Sequence, residues 1–91
     1  MALYTKNGRP LQVHADYVFS RAGTPIGHIQ GRKVFGPNGR YVGGIDGDRL
    51  VYRSTESAEI SSPFAIAPRA GLAAAHAVGA AIWGDEPNTP D

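Results

Sequence analysis

Val34-Phe35-Gly36-Pro37-Asn38-Gly39-Arg40-Tyr41-Val42-Gly43-Gly44-Ile45-Asp46-Gly47-Asp48-Arg49 is the stretch that decides the fold. Val34-Phe35 is a short run of strand-favouring residues. Pro37-Asn38-Gly39 reads as a turn, because proline pre-sets φ and Asn-Gly accepts positive φ. Residues 40–45 form the return strand, Asp46-Gly47-Asp48 turns the chain again, and residues 49–52 begin another unit. The stretch is therefore one β-hairpin with a turn signal about every eight residues, the spacing of an all-β meander.

The hairpin is repeated on both sides. Sixteen residues upstream, Val18-Phe19, Gly23, Ile26-Gly27, Ile29 and Gly31 match Val34-Phe35, Gly39, Val42-Gly43, Ile45 and Gly47. A further copy lies fifteen residues before that, with Tyr4 matching Phe19, Gly8 matching Gly23, and Pro10-Leu11 matching Pro25-Ile26. A fourth begins at Val51-Tyr52 and degrades into Ser54-Thr55-Glu56-Ser57, without a turn glycine. An internal repeat of this kind marks a repeated supersecondary unit. Seven or eight strands of three to six residues are expected. Gly27 and Gly43 sit inside return strands, where glycine marks a bulge, a bend or close backbone approach.

The pairs Leu3-Tyr4, Val18-Phe19, Val34-Phe35 and Val51-Tyr52, each followed by its glycines, resemble the small bacterial four-fold β-flower proteins. Ser61-Ser62-Pro63-Phe64 and Trp83-Gly84-Asp85-Glu86-Pro87 resemble the same family. The resemblance implies four hairpin petals around a centre and carries no established activity.

The C-terminal third reads differently. Pro68 suits a first helical turn and Gly84 suits a helix end. The residues between are rich in alanine, the best helix former. Leu72, His76, Gly79, Ile82 and Trp83 would share one stripe of such a helix, and residues 70–83 carry no charge. An uncharged helix of small residues is expected to pack on the β-domain or on a partner. The expected organisation is a β-hairpin repeat domain over 1–62, a helical segment over 63–84 and a flexible acidic tail over 85–91. The fold class is mainly β, with one C-terminal Ala-rich α-helix.

Composition bounds the chemistry. The 91 residues suit one domain. Residues 1–60 hold eight basic against five acidic residues, and residues 61–91 hold Arg69 against Asp85, Glu86 and Asp91. A nucleic-acid domain carries a stronger, clustered excess, so that partner is not expected. There is no cysteine, which removes disulfides and fits a cytoplasmic setting. Residues 1–9 have no apolar run behind their charges, so they are not expected to act as a signal peptide. The uncharged stretch 70–83 is too short to span a bilayer.

No active site is legible. His14, His28 and His76 have no metal-ligand spacing, so neither a metal nor another cofactor is expected. Asp46-Gly47-Asp48 lacks the further ligands of a calcium loop. Gly43-Gly44-Ile45-Asp46-Gly47 lacks the helix and the Lys-Ser/Thr of a phosphate loop. Tyr4, Phe19, Phe35 and Tyr52 are expected in the core, with an aromatic ring around a ligand as the other arrangement. The leading expectation is a non-enzymatic structural or protein-interaction module that self-associates, as a homo-oligomer, or docks another protein. The alternative is a β-scaffold that binds an anionic ligand or polyanion through Arg9, Arg40, Arg49 and Arg53.

Overall fold

Short runs of Val, Phe, Ile, Leu and Tyr, cut at regular intervals by glycine turns, form seven strands. They are β1 (Leu3–Thr5), β2 (Pro10–His14), β3 (Tyr17–Ser20), β4 (Pro25–Gln30), β5 (Lys33–Phe35), β6 (Tyr41–Asp46) and β7 (Arg49–Val51). The computed structural model describes residues 2–71 and 75–89. Each strand pairs antiparallel with the next, and β7 returns to pair in parallel with β1, so the sheet closes into a barrel. Closure removes both sheet edges. The molecule is a disc of 32 × 31 × 19 Å, and the two near-equal widths fit four petals around an axis.

The repeat sets the core. Leu3, Val18, Val34 and Leu50 come one from each petal, and none is more than 1% exposed. Opposite three of them, across the antiparallel pairs, stand Val13, Ile29 and Ile45. Leu11 and Ile26 complete the buried cluster. Val34 is equivalent to Leu50, since Ile29 faces Val34 as Ile45 faces Leu50. The fourth unit therefore starts at Leu50-Val51, one residue before the expected Val51-Tyr52. Apolar character at both Leu50 and Val51 hid the register from the sequence.

Gly27 and Gly43 are sites of close approach. The pairing slips beside each, leaving Ile26 and Val42 as the extra residue of a bulge. A Cβ on Gly27 would lie 2.6 Å from the Phe35 carbonyl oxygen, and one on Gly43 would lie 2.9 Å from that of Val51. Each glycine thus admits the strand of the next petal.

One expectation fails outright. Among the described residues there is no α-helix; the one helical element is the 3₁₀ turn Ser54–Glu56. The described part of the alanine-rich segment, residues 69–71 and 75–83, forms no helix and hydrogen-bonds to the hairpin turns instead. Helix propensity is worth only tenths of a kcal/mol per residue, so tertiary context overrides it. A helix of alanine and glycine has little apolar area to bury. Docked on the turns, Arg69, Ala77 and Ala80 of the same segment give their N–H groups to the carbonyls of Gly23, Gly8 and Lys6. The small residues Gly71 and Gly79 serve a close contact of backbones, with Arg21-Ala22 and Lys6-Asn7.

Candidate functional site

Three hairpin turns line one rim of the barrel, and they share one construction. In the first, the Gly8 N–H donates to the Thr5 carbonyl and the Thr5 N–H to the Arg9 carbonyl. Gly23 with Ser20 and Thr24, and Gly39 with Gly36 and Arg40, repeat both bonds. The glycine holds positive φ in each, at 95°, 96° and 81°. This is a three-residue loop that ends in a left-handed residue.

The extended segment uses these turns as a track. The Ser61 N–H donates to the Gly39 carbonyl at 2.7 Å, Arg69 to Gly23 at 2.9 Å, and Ala77 to Gly8 at 2.8 Å. Phe64 and Ala80 add bonds to Pro37 and Lys6, two residues before those glycines. At the fourth position Asp85 and Tyr52 exchange both main-chain bonds, at 2.8 and 2.9 Å. The four anchors Ser61, Arg69, Ala77 and Asp85 are eight residues apart. The strap, a name used for the described residues 61–71 and 75–89, meets the petals in reverse order.

The glycines make the contact possible. A Cβ on Gly8, Gly23 or Gly39 would overlap the carbonyl oxygen of Ala77, Arg69 or Ser61. The degenerate fourth unit has no turn glycine, and there the strap supplies one. Gly84 holds φ +116°, and a Cβ on it would overlap Val51.

The strap ends on a polar latch. Glu86 accepts from the Thr5 hydroxyl at 2.8 Å, the Asn7 N–H at 2.9 Å and the Arg9 Nε at 2.8 Å. Arg9 also donates to the Pro87 and Thr89 carbonyls and to the Thr89 hydroxyl. Pro87 is buried. Burial pushes the Glu86 carboxyl up, but the Asn7 N–H, the Arg9 guanidinium and the Thr5 hydroxyl together outweigh it and hold the group below its ordinary value. The acidic tail is therefore packed over residues 85–89.

The proposed interaction stripe falls apart in this geometry. His76 and Gly79 are exposed, and Ile82 is half-buried. Leu72 lies outside the described residues. Trp83 is 61% exposed and lies under the Arg53 guanidinium, which sits 4.4 Å from its ring centre. The four arginines do not converge either. Arg9 holds Glu86, Arg49 pairs with Asp48 at 3.2 Å, and Arg53 pairs with Asp46 at 2.8 Å. Arg40 is exposed. Phe19 and Phe35 are buried, so the repeat-position aromatics form no ring around a ligand. Tyr17 stands opposite both His14 and His28 in the sheet and stacks on His28 at 4.7 Å. Among the described residues no cluster of His, Asp and Glu is placed to hold a metal. Among them, too, no helix is long and apolar enough to cross a membrane.

The four petal positions around one axis agree with the family whose model matches residues 1–84, described as 4-fold beta flower protein. The chain belongs to that family. No curated protein and no solved structure matches it. The match to this 4-fold beta flower protein takes in the strap through Gly84, and so includes the residue that replaces the missing fourth glycine.

The strap and its latch escaped the sequence reading, although a signal was present. Pro63, Gly71, Gly79 and Pro87 recur at eight residues, half the barrel period.

Proposed function

We propose that this 4-fold beta flower protein is a non-enzymatic protein-interaction module that binds extended polypeptide along its rim of hairpin turns. Self-association by exchange of straps between copies is one form of that activity, and docking of a partner's segment is the other. The observation that carries the reading is the row of main-chain hydrogen bonds from Ser61, Arg69 and Ala77 to Gly39, Gly23 and Gly8. Main-chain bonding to an exposed backbone edge is a recurring mode of peptide recognition. It asks for small residues in the bound chain rather than one particular sequence.

The anion-scaffold alternative has less support. Three of its four arginines already hold carboxylates of the same chain, which offsets the charge a polyanion would need.

The test is exchange of the strap. A protease site placed at exposed Ala58 would nick the folded protein between barrel and strap. Labelled peptide 61–89 is then added in excess. Saturable uptake of label, with loss of the original strap, is the expected result. A nicked barrel that takes up no label while its own strap leaves would defeat the proposal.

A further inference from the structure

The first and third petals share more than their turn. Asn7-Gly8-Arg9 recurs as Asn38-Gly39-Arg40, in the same loop with the same main-chain bonds. In the first petal this triplet is a carboxylate receptor, since the Asn7 N–H and the Arg9 side chain both grip Glu86. Thr5 Oγ1 accepts the Arg9 N–H there at 3.1 Å, and in the third petal Asn38 Oδ1 takes that place and accepts the Arg40 N–H at 3.0 Å. The Asn38 N–H and the Arg40 guanidinium make no hydrogen bond or ion pair among the described residues. Both residues line a cavity of about 260 Å³ with Tyr41, Val42, Tyr52 and Asn88.

We propose that this cavity is a second carboxylate site, and that its ligand is the acidic side chain of an extended peptide from a partner. The inference deepens the docking reading and rests on it. The donors are those that hold Glu86, less the hydroxyl, because Gly36 stands where the first petal has Thr5. Arg40 supplies the charge and the Asn38 N–H the direction, a pairing that favours carboxylate over a neutral group. Burial pushes the Tyr41 hydroxyl up to about 12, so it lines the cavity as a neutral group.

The surroundings choose a peptide over a free anion. A neighbouring cavity of about 350 Å³ shares Asn38, Val42 and Asn88 and adds Pro25, Ile26 and Pro37. In the first petal the residue after the carboxylate, Pro87, is buried. The apolar neighbour offers the same shelter to a proline or aliphatic residue beside the bound acid.

The probe is a capped peptide, Gly-Asp-Glu-Pro-Asn-Thr, which repeats residues 84–89. It is titrated into the intact protein while backbone amide resonances are followed. The account expects saturable shifts at Asn38, Gly39, Arg40 and Tyr52, with the Thr5–Arg9 loop unmoved. Arg40→Gln, a change at an exposed side chain, should weaken binding at least roughly tenfold, as should Glu→Gln in the peptide. Added salt should weaken it further. Shifts confined to Thr5–Arg9 would mean competition with Glu86 and would overturn the second site. Equal binding of the Gln peptide would overturn it while leaving the docking reading in place. No shift at millimolar peptide would overturn it as well, and strap exchange in the nicked protein would then judge the docking reading separately.

Discussion

The barrel and the strap are held by opposite means. Barrel strands are fixed by side chains, with Leu3, Val18, Val34 and Leu50 stacked at the centre on a period of fifteen to sixteen residues. The strap is fixed by backbone, with anchors every eight residues and few large side chains. Hydrophobic packing specifies which residues must be apolar. Main-chain docking specifies only which must be small, or must be glycine. The difference explains why one region announces its structure and the other disguises it.

The largest loss is expected at the centre of the barrel. Leu50→Ala should cost about 2–5 kcal/mol, the range for a buried leucine truncation, and much of a small domain's stability. Urea melts should show loss of barrel and strap together. Ile66→Ala, at a half-buried strap position, should cost far less by the same melt.

At Gly23 a mutation should separate the regions. Gly23→Ala places an L-residue at φ +96° and drives its Cβ into the Arg69 carbonyl. Left-handed backbone alone costs roughly 1–2 kcal/mol. The barrel should stay folded while the Arg69 amide loses protection from hydrogen exchange. A simple global loss, uniform across barrel amides, would contradict separate modes of attachment.

Acid should loosen the latch first. The Glu86 carboxyl is held below its ordinary 4.5, so its contribution to stability is present above that pH. The contribution fades as pH falls through the lower folded-state value. Amides of residues 85–89 should therefore lose protection in acid before those of β3 and β5. Glu86→Gln should remove that part of the acid dependence and lower stability at neutral pH.

The smallest effect sharpens the repeat. Ala15 stands where the later units have Gly31 and Gly47, yet it holds φ 52°. Ala15→Gly should relieve that strain and leave stability unchanged to about 1 kcal/mol higher, measured by thermal melt.

The barrel was legible because its signals agree. Turn glycines, apolar pairs and the repeat of Ile29 as Ile45 all point to hairpins, and seven strands of three to six residues follow. The fourth petal was misplaced by one residue, since Leu50 and Val51 are both apolar and both buried. In the strap, alanine dominates local propensity and so points to a helix. What decided its conformation, acceptor carbonyls at Gly8, Gly23 and Gly39, belongs to distant residues. The latch was hidden for the same reason. Nothing near Glu86 in sequence shows that Thr5, Asn7 and Arg9 converge on it, some eighty residues earlier.

The most direct test of the account is amide protection and Cα chemical shift along residues 75–85. The account predicts extended shifts throughout, with protection at Ala77, Ala80 and Asp85 and fast exchange at His76 and Val78. Helical shifts with an unbroken run of protected amides from Ala77 to Trp83 would contradict it.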